Sequence, residues 1–252
     1  MQTAQKLYET SGVYGTEEKY DAAGDRFRAM LTIIDTLPKP MRILDVGCGT
    51  GYFSSILKAK YPDSVVHGFD VSTNAIDKGK KLYPDVALQV ADAEKAFPYF
   101  DNDFDLVISG EHVAHLKEAD TYIAEIYRIL KPSGHLLITT PNLSSWLNRM
   151  LMFCGMTPYF MEPSFTKTMQ SLKLFGKTFP DPSMPPSGHL RLYSVNMLNF
   201  LLSIYGFNTV KTYGVSALTH KSIKSIDRLF KRYPKLASGF MILAQKPYEN
   251  KT

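Results

Sequence analysis

Three glycines in five residues, Gly47, Gly49 and Gly51, break an apolar run and constrain this chain more than any other stretch. Met41 to Val46, just before them, reads as a buried strand. Phe53, Ile56 and Leu57, just after, fall on one face of a helix. A strand that turns through glycines into a helix brings backbone close to a nucleotide-like ligand. It also aims unpaired helix N–H groups at an anionic group. The rest of the chain is therefore expected to support a bound cofactor, or to hold what the cofactor reacts with.

The 252 residues suffice for one large domain, and 44% apolar with 21% charged residues is ordinary for a soluble globular protein. Residues 1–18 read as a polar arm. A helix follows to about residue 37, with Phe27, Met30, Leu31 and Ile34 at helical spacing and Pro38 and Pro40 as its stop. Strands are expected at 41–46, 64–71, 86–90, 104–109 and 135–140. Between them lie a helix capped by Ser72 or Thr73 and another over 119–130, with Lys131 to Gly134 as a turn. Alternation with short connections predicts a doubly wound parallel sheet, which gathers ligand-binding residues at the carboxyl ends of its strands. Asp45, Asp70, Asp92 and Glu111 fall at four successive ends.

After Pro141 the rhythm breaks. Residues 141–190 are rich in Met, Phe and Pro, with one short amphipathic helix expected around Trp146 to Phe153 and no strand. A helix over 194–205, a strand over 209–213, a helix over 222–232 and a strand over 239–245 complete the chain. The expected fold is α/β, a Rossmann-like doubly wound sheet of seven strands, the last antiparallel at the edge. The chain divides into an N-terminal arm and helix (1–38), a cofactor-binding half (39–142), a substrate lid inserted after strand five (143–190) and a C-terminal half (191–252).

The glycine spacing narrows the ligand. A nicotinamide fingerprint puts Gly or Ala at the sixth position of the loop, where this chain has Tyr52, and no Lys-Ser/Thr follows to make a phosphate loop of the Walker type. Asp45-Val46-Gly47-Cys48-Gly49-Thr50-Gly51 resembles the first motif of class I S-adenosylmethionine-dependent methyltransferases. Four further stretches resemble that family's motifs in the same order: Phe69-Asp70-Val71-Ser72, Ala91-Asp92-Ala93, Phe104-Asp105-Leu106-Val107, and Arg128 to His135 with its Lys131-Pro132-Ser133-Gly134 turn. The resemblance implies S-adenosyl-L-methionine as cofactor, S-adenosyl-L-homocysteine as product, and a donor site made by Asp45, Gly47, Cys48, Gly49, Gly51, Asp70, Val71, Asp92, Ala93 and Ser109. The physical chemistry agrees. Glycine amides can meet the methionine carboxylate, Asp70 can accept both ribose hydroxyls from 23 residues beyond Gly47, Asp92 can accept from the adenine amino group, and Asp45 and Glu111 place negative charge near the amine and the sulfonium.

Transfer to a hydroxyl also needs a base, for which histidine is the usual side chain. Glu111 and His115 match a Glu-x-x-Glu-His segment of ubiquinone-type O-methyltransferases, with Ala114 in place of the second Glu, so no metal is expected. His189 opens a Gly-His-x-Arg pattern that faces substrate in such relatives. His112 reads as structural. The candidate catalytic residues are His189, His115 and Glu111, and the acceptor is expected to be a small hydroxylated metabolite such as a sugar or polysaccharide precursor. A net charge of +5 fits an acidic ligand, nucleic acid or membrane surface. No Asp-Pro-Pro-Tyr-type segment follows strand four and basic and aromatic residues are not interleaved, which argues against nucleic acid. A nucleic-acid methyltransferase, or a non-catalytic cofactor-binding scaffold, is the alternative. The basic amphipathic stretch Lys221 to Lys235, with Ile223, Ile226, Phe230 and Tyr233 on one face, allows weak membrane-surface association. Two cysteines outside any metal-ligand spacing, and no leader or membrane-spanning run, suit the cytoplasm.

Overall fold

The computed structural model describes residues 17–162, 172–174, 177–179, 188–218 and 221–248. Its sheet begins with β1 (Arg42–Val46), β2 (Val65–Asp70), β3 (Ala87–Val90), β4 (Phe104–Gly110) and β5 (Leu130–Pro141). They stand in the order β3-β2-β1-β4-β5, all parallel. β8 (Asn208–Val215) and β9 (Gly239–Gln245) follow in the order β5-β9-β8, and β9 runs antiparallel to both neighbours. The last strand is therefore antiparallel as expected, but it is inserted in the sheet, and β8 is the edge. The burial of each explains the order. Six of the seven residues of β9 are buried, which requires a strand on each side, whereas the first four of β8 are exposed, which suits an edge.

Helices cover both faces. Met30 and Ile34 of α1 (Glu17–Ile34), Phe53 and Leu57 of α2 (Tyr52–Lys60) and Ile76 of α3 (Thr73–Leu82) share a core with Ile43, Ile108 and Leu243. On the other face, Tyr122, Ile123 and Ile126 of α4 (Ala119–Ile129) and Leu198 and Leu202 of α6 (Val195–Ile204) pack on Val107, Ile138 and Ile242. Fully burying a side chain such as Leu57 or Ile76 (both 0% exposed) contributes on the order of 2 kcal/mol. α3 starts at Ser72, whose hydroxyl accepts from Ala75 N.

Three features differ from the expected pattern. Residues 131–134 are extended and belong to β5, with the register slipping between Phe104 and Leu106, and Ser133 takes a positive φ of 64° in place of a separate turn. Within 141–190 a short antiparallel pair, β6 (Leu172–Leu174) with β7 (Lys177–Phe179), accompanies α5 (Trp146–Phe153). On α7 (Lys221–Phe230) the buried side chain is Asp227, while Ile226 and Leu229 are exposed. Asp227 accepts from Trp146 Nε1 at 2.8 Å and from Ser238 Oγ at 2.6 Å, and the Trp146 and Phe230 rings stack at 5.3 Å. A buried carboxylate thus ties α5 to α7, with Leu147 packed against Leu218 and with Phe153, Ile226 and Leu229 left exposed. The side chains of Lys221, Ile223 and Lys224, and the arm at 1–16, lie outside the described residues.

Candidate functional site

The glycine loop leaves β1 at the carboxyl edge, and Gly47, Gly49 and Gly51 all have positive φ. At Gly47 two demands coincide. Its φ of 71° is strained for any side chain, and a Cβ there would lie 2.2 Å from His112 Nδ1. Gly47 is thus the floor on which the His112 ring rests.

The loop's amides are committed inside the protein. Gly47 N and Cys48 N both donate to Phe69 O, at 2.9 and 3.0 Å, and Gly51 N donates to Cys48 O. Gly49 N donates to Asp70 Oδ2 at 2.9 Å. These four amides fix the loop's shape, and what the loop offers beyond them is close approach of backbone.

Asp70 ends β2, is 4% exposed, and accepts from Ser72 N through its other oxygen at 2.9 Å. Its carboxylate is held in one orientation and keeps acceptor capacity for a ligand hydroxyl. A cleft of about 690 Å³, counting its open mouth, is lined by Gly47, Phe69, Asp70, Val71, Ala91, Asp92 and Ala93 on one side. His112, His115, Leu116, Lys117 and Leu190 line the other side. Asp92 accepts from Glu94 N at 3.0 Å, which turns the backbone so that Ala93 lines the cleft beside it.

Asp45 lies beneath this floor at 5% exposure and accepts from Ser54 Oγ at 2.7 Å. Burial pushes its carboxyl up to about 7, offset in part by the Ser54 hydrogen bond, with the Asp70 charge adding to the rise. Besides Asp45, two further residues expected in the donor site do not present side chains to the cleft. Ser109 is fully buried and its hydroxyl accepts from Tyr122 Oη at 2.8 Å, so that side chain is core. The Cys48 sulfur packs under the sheet against Gly68, leaving only its backbone in the loop.

The acceptor side is built from parts distant in sequence. His115 closes a single 3-10 turn (Val113–His115), and its Nδ1 lies 3.0 Å from Gly188 O. A carbonyl only accepts, so Nδ1 carries the proton and Nε2 the lone pair. The His189 ring stacks on His115 at 4.8 Å, and its Nδ1 is buried with no partner among the described residues. Burial lowers both rings, His115 to about 3 with the His189 charge adding, while the Glu162 and Glu111 charges partly restore His189. Both are neutral at physiological pH. Of the three candidate catalytic residues only His115 lines the cleft; His189 stands behind it. Glu111, at the positive φ of 61°, accepts from Thr139 Oγ1 at 2.7 Å.

Two residues acquire roles that the sequence did not signal. His112, read as structural, lines the cleft with its Nε2 buried and unpartnered among the described residues, and burial lowers its pKa. Arg26 of α1 brings its Nη1 within 3.9 Å of Glu111 Oε1, its charge reaches Asp45, and its Nε is buried without a partner among the described residues. It is thus a cation set beside Glu111, just past the carboxyl end of β4. Only the fold brings α1 to that point; helical spacing merely makes residue 26 a polar neighbour of Phe27. Among the described residues no group of three His, Cys, Asp or Glu is set to hold a metal.

S-adenosylmethionine fits this donor set. The cleft offers two anchored carboxylates to hydroxyl and amino donors, apolar walls at Val71, Ala91 and Ala93, a floor with no room for a Cβ, and an orphaned His112 Nε2.

Known proteins agree with this geometry. The family profile described as Methyltransferase domain matches residues 37–171. A ubiquinone/menaquinone biosynthesis C-methyltransferase of Desulfotalea psychrophila is 31% identical over 147 residues, covering 50% of this chain and 59% of that protein. A malonyl-[acyl-carrier protein] O-methyltransferase of Priestia megaterium is 28% identical over 172 residues, covering 65% of this chain and 58% of that one. The chain thus spans somewhat under two thirds of these relatives' length. In structure, a SAM-dependent methyltransferase of Thermotoga maritima, described as a "possible histamine N-methyltransferase", superposes with a TM-score of 0.64 at 18% identity, over 96% of this chain and 99% of that one. These three carry names of C-, O- and N-methyl transfer on one fold. The chain belongs to the methyltransferase domain family, in its class I S-adenosylmethionine-dependent branch.

Proposed function

We propose that this chain transfers the methyl group of S-adenosylmethionine to a hydroxyl oxygen of a small acceptor, such as a sugar or polysaccharide precursor, held at the His115 end of the cleft. One observation carries the reading: a single cleft is lined by the anchored Asp70 and Asp92 on one wall and by His112, His115 and Leu190 on the other. Asp70 and Asp92 would hold the ribose and adenine, with Arg26 facing the carboxylate of the methionine. The cofactor supplies an electrophilic methyl group and its own leaving group. The protein's share is to align the acceptor oxygen at about 3–3.5 Å from that carbon and to take its proton. The stacked pair His115 and His189 receives the proton: His115 meets the acceptor, and the Glu162 and Glu111 charges favour the protonated form of His189. Acceptor choice lies with residues 143–190, which bring Glu162 to accept from Gly188 N and His189 N at 2.7 and 3.1 Å. Labelled methyl transfer from S-adenosylmethionine across pools of sugars, phenols, quinol precursors, carboxylic acids and amines tests the reading. Product labelled at oxygen supports it; label only on carbon or nitrogen overturns the hydroxyl assignment, and no binding of S-adenosylmethionine overturns methyl transfer altogether.

A second reading, association with a membrane surface, is favoured by the outward stripes of α5 and α7. Phe153 is 94% and Leu229 74% exposed, beside Arg228, Lys231 and Arg232. Among the described residues no helix is long and apolar enough to cross a membrane. Sedimentation with anionic vesicles tests this reading; a chain that stays in the supernatant with them overturns it.

A further inference from the structure

On the opposite face of the sheet from the His115 wall, a second cleft of about 890 Å³, counting its open mouth, lies between α1 and α7. It reaches the carboxyl edge, since Val215 and Ser216 at the end of β8 line it and Val215 pairs with Gly239 opposite Pro141. Four cations line it, Arg26, Arg28, Arg228 and Lys231, against one carboxylate, Asp25. That carboxylate is shared: it lies 2.7 Å from Arg28 Nη2 and 3.8 Å from Arg228 Nη2. Two polar atoms of the lining, Arg26 Nε and Ser216 Oγ, are buried with no partner among the described residues. Arg26 also lies 3.9 Å from Glu111 Oε1, just past the carboxyl end of β4, on the side toward the donor loop, where its charge reaches Asp45.

A cleft with excess positive charge and two buried, unpaired donors is complementary to an anion with several acceptor oxygens. Guanidinium groups match phosphate oxygens in pairs, and a lysine adds a mobile charge. A lone carboxylate would engage one guanidinium and leave the others facing each other. We propose that this cleft is an anion subsite that takes a phosphoryl or pyrophosphoryl group of the acceptor, with Arg26 as the wall it shares with the donor. The inference rests on the methyl-transfer reading and narrows its acceptor to a phosphorylated molecule. A soluble phosphorylated metabolite and the headgroup of a lipid present the same chemistry.

The test titrates inorganic pyrophosphate into the full chain by calorimetry, with and without saturating S-adenosylhomocysteine. The comparison is the double variant Arg28→Glu, Lys231→Glu. Both replaced side chains are exposed, and neither belongs to the donor site. Expected are saturable pyrophosphate binding that persists with S-adenosylhomocysteine bound, a loss of at least tenfold in the variant, and S-adenosylhomocysteine affinity within twofold of wild type in both. Wild type that binds S-adenosylhomocysteine but not pyrophosphate overturns the subsite alone, as does equal pyrophosphate binding by the variant. Mutual exclusion of the two ligands would make the cleft an extension of the donor site and also overturns it. No binding of S-adenosylhomocysteine overturns the methyl-transfer reading first, and the acceptor assignment with it. Flotation with phosphatidylglycerol against phosphatidylcholine vesicles separates the sources. Retention on the anionic vesicles alone, lost in the double variant, assigns a lipid headgroup, and no retention beside saturable pyrophosphate binding assigns a soluble phosphate.

Discussion

The two walls of the main cleft are built by opposite means. On the donor wall, two adjacent strand ends settle one another's hydrogen bonds: Asp70 holds Gly49 and Ser72, Asp45 holds Ser54, and Phe69 O takes two loop amides. On the acceptor wall the contacts span long stretches of chain, as from His115 to Gly188, and His112 Nε2 and His189 Nδ1 are buried with no partner among the described residues. An unpaired buried polar atom costs about 1–3 kcal/mol. The donor wall is therefore satisfied within the fold, whereas the other wall keeps buried polar atoms that the described residues do not satisfy.

That contrast predicts that changes on the acceptor wall alter turnover and spare donor binding. His189→Ala should lower kcat by roughly 10²- to 10⁴-fold, the usual contribution of a positioned base, with S-adenosylmethionine affinity unchanged within twofold. Steady-state kinetics on the identified acceptor, with calorimetry alongside, decides it. Turnover unaffected in both His189→Ala and His115→Ala would remove the pair from catalysis. The pH profile gives an independent sign. A histidine whose pKa is lowered by burial is neutral above the lowered value, so the acid limb of kcat lies below pH 6.5, the ordinary imidazole value.

The donor wall should behave in reverse. Asp70→Ala removes the acceptor for Gly49 N, Ser72 N and the ribose together. Hydrogen bonds to a charged group are each worth about 1.5–3 kcal/mol, which puts the loss of S-adenosylmethionine affinity near 100-fold. A loss under threefold would mean that the ribose lies elsewhere.

The same contrast governs what the sequence could disclose. That Gly47, Asp70 and Asp92 line one cleft was legible because they stand at or just past the carboxyl ends of β1, β2 and β3, neighbouring strands of a parallel sheet, where each meets a local demand of backbone or charge. The antiparallel sense of β9 was legible too, but its place inside the sheet rests on pairing with β5, about a hundred residues earlier in the chain. Arg26 and His112 were missed for the same physical reason. Each is an ordinary polar residue in its own segment and becomes part of the site only when α1 or the 3-10 turn is docked. Ser109 misled in the other direction, since period-2 alternation along β4 does not reveal that Tyr122 already satisfies its hydroxyl. On α7 the amphipathic pattern named Ile226 and Phe230, but with Asp227 buried Ile226 is exposed while Phe230 stacks on Trp146.

Asp45 sharpens the comparison by titration. Its carboxyl, raised to about 7 by burial, is half protonated near neutrality. A cationic amine or sulfonium beside it favours the ionised form, so binding should release a proton below pH 7. S-adenosylmethionine affinity should then rise roughly tenfold between pH 6 and 8, and Asp45→Asn should flatten that rise. The stability effect has the opposite sign. The folded chain binds this proton more tightly than the unfolded one, so Asp45 contributes stability that is full below pH 3.8 and is lost as pH rises toward 7. Calorimetry in buffers of different ionisation enthalpy measures the proton release; its absence would place the donor's positive charge away from Asp45.

The smallest effect belongs to the outward stripes, where the two regions should part completely. Phe153→Ser and Leu229→Ser change side chains that are 94% and 74% exposed and take no part in the ties between α5 and α7. Surface substitutions of this kind stay within about 0.5 kcal/mol, so thermal unfolding and S-adenosylmethionine affinity should be unchanged. Trp146→Phe supplies the internal contrast. It keeps the ring that stacks on Phe230 but removes the N–H that Asp227 accepts, leaving a buried carboxylate one donor short at a cost of about 1–3 kcal/mol. If Phe153→Ser destabilised the fold as much as Trp146→Phe, the α5 stripe would be buried against another part of the chain, and its reading as a surface for membrane contact would fall with it. If only vesicle retention dropped, the stripe would be a contact surface that the fold itself does not use.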